Sequence, residues 1–438
     1  MAVESDQLIG TVDIDTDNAP AIEQDRLYRL WEEGHWSAKS IDFSQDILDW
    51  QQLSEHSRKA IRWNLALFLD GEESVTVTLA PFMEALTRYE DRIFLGTQIA
   101  DEARHHVFFD RFIREVVGIG TSLANTLDIT RPDLTWGYRQ VFSQLDQVAD
   151  QLRRQPRNKV ALAQGVTLYH VVIESMLAHT GQHFLREYCS KQQKFPGFRS
   201  GVSFIARDES RHIAFGVQIL KELVASDPRC KAASIAILNK VLPWAAGVFT
   251  PPGIDWSYIE ELGYTPQDIM TFGLRSIIAK LHRVGIEQDE VLALVKLGAD
   301  ATPAQQAERV IDLIEGRVIG TDAVPNMNVA QMDALFDSIQ DIARWTQKQL
   351  PPEQRTQGII QWHFPDAPSR YLELGGPAIA TVNLGSVATP RLVLKCTAAD
   401  WGYISSNRLN QNQAVLTRRL RISGDWGLAL KLPQILPV

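Results

Sequence analysis

A chain of 438 residues, 45% hydrophobic and 22% charged, has the composition of an ordinary globular protein with room for two or three domains, which argues against disorder. A net charge of −9 argues against nucleic acid as a main partner, because binding phosphates calls for a basic patch. Met1 to Pro20 carry neither the basic start nor the apolar run of a signal peptide, and no later stretch approaches the roughly 18 apolar residues of a membrane span, so a cytoplasmic protein not integral to a membrane is expected. Cys189, Cys230 and Cys396 lack CxxC spacing and read as buried bystanders in a reducing compartment. The charge is uneven: 11 basic face 8 acidic residues from Asn326 onward, against 33 and 45 before it.

In chain order, Leu27 to Trp50 is rich in aromatic residues, is broken by Gly34, and reads as an irregular arm or short helices. From Ser57 to about Thr87, Ile61, Leu65, Phe68, Val75, Leu79 and Met83 recur at helical spacing, and Glu72 interrupts that stripe. A carboxylate on an apolar face needs a cation, a hydrogen bond or a metal, since burying it charged and alone is costly. Leu95 to Val117 predicts a second helix, with Glu102 and His105 on it, ended by Gly118 and Gly120. Leu134 to Arg154 predicts another. Lys159 to Tyr188 is a long one with Glu174 between Val171 and Leu177, and Phe198 to Ala225 carries Glu209 and His212 before Ser226-Asp227-Pro228 closes it. Val241 to Pro252 is an apolar stretch, and Gln267 to Arg283 is the last helix of this half.

After Thr302-Pro303 the character changes. Ala304 to Asn328, with Gly316, Gly320 and Pro325, reads as a connecting segment; Val329 to Leu350 is an amphipathic helix ended by Pro351-Pro352. Gly358 to Phe364, Arg370 to Leu374, Ala378 to Leu384 and Arg391 to Cys396 alternate as strands do, with antiparallel pairing as the simple expectation. Gln413 to Arg421 and Leu428 to Leu436 read as helices around the turn Ser423-Gly424-Asp425.

The chemistry gathers in Asp101-Glu102-Ala103-Arg104-His105 and its echo Asp208-Glu209-Ser210-Arg211-His212. Glutamate and histidine three apart share one helix face, and each pair follows an inward glutamate, Glu72 or Glu174. Four glutamates and two histidines in the order E, ExxH, E, ExxH are the inventory of helical bundles that house two metal ions. A lone ExxH is usually a solvated contact; two copies on core helices are not explained that way. Carboxylates and imidazoles without thiolates suit iron and manganese, and bridging glutamates can hold two ions about 3.5 to 4 Å apart. Oxygen activation is the leading function and iron oxidation for storage the alternative. His106, His170, His179 and His183 lie outside the spacing and read as core or orienting histidines.

These residues resemble a known family. Phe68-Leu69-Asp70-Gly71-Glu72-Glu73-Ser74-Val75-Thr76, the two DExRH stretches, and Tyr169 through Gly181 with Glu174 are similar to the ligand-binding oxidases, relatives of the radical-generating small subunit of ribonucleotide reductase. The resemblance covers roughly residues 25 to 285, including Ile41-Asp42-Phe43 to Trp50. It implies a ferritin-like helical bundle with a mixed Mn/Fe pair (Fe/Fe as alternative), a long-chain fatty acid on the metals, O2 activation, and an ether cross-link between a valine and a tyrosine. Glu72, Glu102 and His105 would lie on the manganese side, Glu174, Glu209 and His212 on the iron side, with Glu102 and Glu209 shared; Val75 and Tyr169 match the cross-linking pair. Two positions differ in kind. Gln182 stands where the family has a tyrosine, and Phe109 stands where reductase subunits carry the radical tyrosine, as a phenylalanine does in the oxidases and in the tyrosine-free reductase subunits.

Leu420-Arg421-Ile422-Ser423-Gly424-Asp425-Trp426-Gly427-Leu428-Ala429 and the element order before it resemble the sterol carrier protein lipid-binding domain, over about residues 328 to 438. That resemblance implies an apolar tunnel between a five-stranded sheet and helices. The expectation is therefore multidomain: an all-α ferritin-like oxidase domain over 1–300, a linker over 301–327, and an α+β sterol-carrier-like domain over 328–438, in a homodimer. Two other functions stay open: a ribonucleotide reductase small subunit, and a lipid carrier that is not an enzyme, with a structural or iron-storing di-metal site.

Overall fold

The computed structural model describes Gln24 to Pro437, so the reading of Met1 to Pro20 lies outside the described residues. The chain divides into two compact units. One comprises the chain up to Asp133, Phe142–Ile237 and Arg275–Ile286; the other comprises Leu134–Val141, Leu238–Leu274 and Glu287 onward.

The first unit is helical. Its aromatic arm is two short helices, α1 (Gln24–Glu33) and α2 (Ser44–Gln51), which precede α3 (Glu55–Thr78) and α4 (Tyr89–Phe112). The Ser54 side chain accepts the Ser57 N–H and so starts α3. The long α5 (Lys159–Gln192) opens on Asn158, whose side chain accepts the Val160 and Ala161 N–H groups. Contrary to the expectation that no stretch approaches a membrane span, α5 is long and apolar enough to cross one, but 89% of its most apolar window is buried, as in a core helix. α6 (Pro196–Ser226) follows, and its first turn explains the segment before Trp50: the Asp46 carboxylate of α2 accepts the Gly197 and Phe198 N–H groups at 2.9 and 2.7 Å. A carboxylate there satisfies orphan donors and meets the positive end of the helix dipole. A Cβ at Gly197 would lie 2.3 Å from the Asp42 carbonyl oxygen, so this approach requires glycine.

Aromatic rings fill the space between helices. Phe112 and Phe198 lie 4.5 Å apart, Phe94 and Phe215 4.8 Å, and Phe109 stacks on Phe68 at 5.1 Å. A fully buried ring such as Phe109 stabilises by about 1.5–3 kcal/mol through area alone. The middle of α5, Thr167–Ala178, winds with i→i+5 bonds as a π-helix, and so does Ile113–Val117 after α4. Composition carries no signal for this winding.

The second unit contains a mixed sheet, and three readings are corrected there. First, the expected linker is folded. α7 (Pro303–Glu315) starts at a capping box in which Thr302 and Gln305 exchange side-chain and backbone bonds, and Arg309 of α7 pairs with Asp341 of α8 (Val329–Lys348). Second, the strands are not all antiparallel. β1 (Gly358–His363), β2 (Arg370–Leu374) and β3 (Ala380–Leu384) form an antiparallel meander, but β4 (Leu392–Lys395) runs parallel to β1 with Ile360 opposite Leu392. Third, the stretch read as helix to Arg421 ends earlier. After α9 (Ala398–Ser405) and α10 (Gln411–Leu416), Arg421–Gly424 forms β5 on the edge of β4, before α11 (Trp426–Ile435). The sheet order is β3-β2-β1-β4-β5. Side chains on one face of the central strands, Ile360, Trp362, Leu392 and Leu394, are wholly buried, and Trp362 meets Phe336 of α8 and Trp401 of α9, each at 5.3 Å. Beyond the strands, Pro228–Ala245 is a helix where the sequence shows only a later apolar stretch. All three cysteines are free and buried.

Candidate metal centre

Glu72 and Val75 come from α3, Gln98, Glu102 and His105 from α4, Tyr169 and Glu174 from α5, and Glu209 and His212 from α6. The six glutamates and histidines singled out in the sequence converge as two groups, Glu72, Glu102, His105 and Glu209, and Glu102, Glu174, Glu209 and His212, the donor atoms of each group lying within 4.8 Å of one another. Glu102 and Glu209 belong to both. All six are buried. His105 Nδ1 lies 3.5 Å from Glu72, 3.4 Å from Glu102 and 3.7 Å from Glu209; His212 Nδ1 lies 3.1 Å from Glu102, 3.5 Å from Glu174 and 3.4 Å from Glu209.

The outward face of each imidazole is held by an aspartate from the other repeat. His105 Nε2 meets Asp208 at 3.3 Å and His212 Nε2 meets Asp101 at 3.1 Å. An ionised carboxylate only accepts, so each Nε2 carries a hydrogen, and it is the Nδ1 lone pair of the neutral ring that would face inward toward a metal. Trp31 Nε1 donates to Asp101 at 2.8 Å and Trp36 Nε1 to Asp208 at 2.7 Å. Arg211 donates to both aspartates, at 3.1 and 2.7 Å, and Arg104 also pairs with both. Trp31, Trp36, the two aspartates and the two arginines are the residues that motif reading passed over. The signal was present, for the D and R of DExRH recur at the same places in both repeats.

The arginines are engaged by the outer aspartates, Arg104 and Arg211 with both and the half-exposed Arg207 with Asp208 at 3.7 Å, and none pairs with the four inner carboxylates. Their electrostatics register this. Burial pushes Glu72 well above the usual carboxylate range and Glu174 up to about 8, against the pull of His105 and His212 respectively. Burial and then Glu102 raise Glu209; Glu102, although burial opposes its charge, is held well below the usual range by His212 and His105. Both ligand-type histidines are opposed by burial yet end well above their ordinary value, led by Glu72 for His105 and Glu102 for His212. His105 Nδ1, His212 Nδ1, Glu174 Oε2 and Glu209 Oε2 are buried without a hydrogen-bond partner, so the donor set fits two divalent ions whose four charges offset the four carboxylates.

Tyr169 sits against this set. Its hydroxyl donates to Glu102 Oε1 at 2.7 Å and accepts from Gln98 Nε2 at 3.1 Å, and Gln98 Nε2 also donates to Glu174 Oε1 at 2.7 Å. Five residues separate Tyr169 from Glu174; an α-helix would turn them apart, whereas the i→i+5 winding sets them on one face. Burial, then Glu102, raises the phenol well above its ordinary value, so it is neutral. Val75 is buried one turn after Glu72. Of the histidines outside the motif, His170 is buried, pushed down to about 3 by burial, and directs Nε2 to Gln98 Oε1 at 3.4 Å.

Residues 21–242 match the ribonucleotide reductase small-chain family and residues 342–437 match the SCP-2 sterol transfer family. The chain belongs to the ribonucleotide reductase small-chain family. Within solved structures it is similar to R2-like ligand-binding oxidases. A glycine-to-phenylalanine variant with an anaerobically reconstituted Mn/Fe cofactor is 26% identical at a TM-score of 0.51, over 60% of this chain and 93% of that one. A tyrosine-to-phenylalanine variant with an aerobically reconstituted Mn/Fe cofactor is 26% identical at 0.51, over 63% and 94%. At the two positions that stood apart in the sequence, Phe109 puts a ring without a hydroxyl beside Phe68, and Gln182 Nε2 approaches Glu209 Oε1 at 3.4 Å.

Proposed function

We propose that the first unit is a di-metal carboxylate oxidase that activates O2 with a Mn/Fe pair, Fe/Fe being the alternative, and that it binds or oxidises a long-chain fatty acid or related lipid, with the second unit as a lipid-binding accessory. The observation that carries this reading is the inner set of four carboxylates and two histidines with which no arginine or lysine pairs among the described residues. Glu72, Glu102, His105 and Glu209 would hold one ion and Glu102, Glu174, Glu209 and His212 the other. When bound, such a pair supplies electrons to dioxygen and Lewis acidity toward a carboxylate.

The protein's own part is positioning. Asp208 and Asp101 fix the ring tautomers, Gln98 and Tyr169 fix Glu174 and Glu102, and the stacked Phe68 and Phe109 lie one helical turn from Glu72 and His105. The neutral Tyr169 hydroxyl and the buried Val75, both beside ligand-type glutamates, are the pair we assign to an ether cross-link: one C–H of Val75 and the O–H of Tyr169 are lost, a C–O bond forms, and dioxygen accepts two electrons and two protons. A homodimer, on resemblance alone, and a cytoplasmic setting, on composition and cysteine usage, complete the proposal.

A tyrosyl-radical reductase subunit is disfavoured by Phe109. The test is single-turnover O2 uptake on adding Fe(II), with and without Mn(II), followed by intact mass and peptide mapping. The expected result is O2 consumption, a loss of two hydrogens and a joined Val75–Tyr169 peptide pair, with Tyr169→Phe loading metal but showing no join. A fully metallated, oxygen-exposed protein that yields both peptides separate would remove the cross-link; no O2 uptake would leave a lipid carrier with a structural metal site, and O2 uptake that repeats with each addition of Fe(II) and gives no join would leave iron storage.

A further inference from the structure

A narrow cleft in the second unit, about 50 Å³ in volume and open at its mouth, lies between α8, α9, α10 and α11. Leu335, Ile339 and Ile342 of α8, Ile404 of α9 and Leu432 of α11 give it apolar walls. Five polar residues break the lining: Ser338, which donates to the Ala334 carbonyl oxygen, Gln411 at the start of α10, and three more. Trp401 is only 4% exposed and its indole Nε1 has no acceptor; the buried Ser405 Oγ has no partner either. Both donors lie on α9, four residues and so one turn apart.

The third is Lys296, the sole charged side chain lining the cleft among the described residues. It lies outside the span that matches the sterol-transfer family, directly after the short helix Leu292–Val295. Its backbone is pinned, the N–H donating to Leu292 O at 3.0 Å and the carbonyl accepting from Arg309 at 3.2 Å, while its amine has no carboxylate partner. Burial alone lowers that amine to about 8. A buried indole N–H, a buried hydroxyl and an unpaired amine each carry a desolvation cost that an anion with two acceptor oxygens would offset together.

We propose that this cleft binds the head group of a fatty acid in its ionised form, with the Lys296 ammonium as counter-ion to the carboxylate, Trp401 Nε1 and Ser405 Oγ as donors to its oxygens, and the acyl chain leaving past the α8 and α11 side chains through the mouth. The proposal rests on the reading of the second unit as lipid-binding and adds to it a head-group preference: acids over esters, alcohols and sterols. Because the anchor comes from outside the sterol-transfer span, the preference belongs to this fused chain.

The test titrates full-length protein with the fluorescent polyene cis-parinaric acid and with its methyl ester. Wild type binds the acid about tenfold more tightly than the ester. Lys296→Met brings the ratio close to one and leaves the ester affinity within about twofold, which also subtracts any binding by the first unit; Lys296→Arg keeps the preference. The acid's advantage declines as pH rises through about 8, where the amine loses its charge, and this decline is absent in Lys296→Met. An equal acid-to-ester ratio in wild type and Lys296→Met overturns the anchor while lipid binding stands. Failure of both probes to bind overturns lipid binding by this unit as well.

Discussion

Asp101 and Asp208 are each adjacent in sequence to one candidate bridging glutamate yet brace the histidine of the opposite repeat, at 3.1 and 3.3 Å. The crossing makes the two halves of the centre depend on each other. Asp208→Asn preserves shape but replaces one carboxylate oxygen with an NH2 donor, so the residue cannot accept from His105 and Trp36 on one side and Arg211 on the other, and it leaves Arg104 and Arg211 in excess. The expected outcome is a 10- to 100-fold loss of affinity for one ion, read by metal content after dialysis against graded chelator. Glu102→Ala, by contrast, removes a residue common to both donor groups and is expected to lose both ions; a full pair retained in that variant would defeat the assignment. The six inward residues were legible because ExxH repeats and an inward glutamate violate an apolar stripe. Gln98 was not. It sits one turn before Glu102 on α4, but a glutamine on a helix breaks no pattern, and only the fold shows it bonded to Tyr169 and Glu174.

At the scale of elements, helix existence was written in the apolar periodicity and helix winding was not. The π-helical turn in α5 sets Tyr169, His170 and Glu174 toward α4 and α6, and α6 accommodates it with Gly216, where a Cβ would sit 2.1 Å from His170 Cγ. Gly216→Ala should cost about 1–3 kcal/mol by overpacking, or roughly 2–10 °C in Tm. Gly96→Ala on α4 is the control: its Cβ would meet Met83 Cε at 3.7 Å, an ordinary contact, so the gain in helix propensity should make it neutral or stabilising by up to about 1 kcal/mol. Equal melting curves for the two variants would mean that the α5–α6 contact yields freely. The sheet shows the same limit. Alternation located β1 to β4 in sequence, but it cannot distinguish parallel from antiparallel pairing, and Arg421–Gly424 is too short and too exposed to alternate visibly.

For the whole molecule, a linear reading places boundaries where composition shifts, whereas contacts assign Leu134–Val141 and Leu238–Leu274 to the second unit and give the expected linker a capped helix packed on α8. Those partners are far apart in sequence and leave no compositional mark. The consequence is practical. Cutting the chain near Asn328 would strip α8 from α7, so loss of function on truncation could not be read as loss of lipid supply. Filling the cleft in the intact chain avoids this. Ser338→Phe places a ring among Leu335, Ile339 and Ile342 in a chain that is otherwise whole. If the second unit feeds the first, tethering raises the local lipid concentration to the order of millimolar, so the variant should load metal and form the Val75–Tyr169 join normally while acquiring fatty acid several-fold more slowly at micromolar supply. Millimolar supply should erase the difference, because the tether then adds nothing. Loading rates measured by extraction and mass spectrometry that match wild type at micromolar fatty acid, with the cleft shown to be blocked by loss of cis-parinaric acid binding, would mean that the two units handle lipid independently.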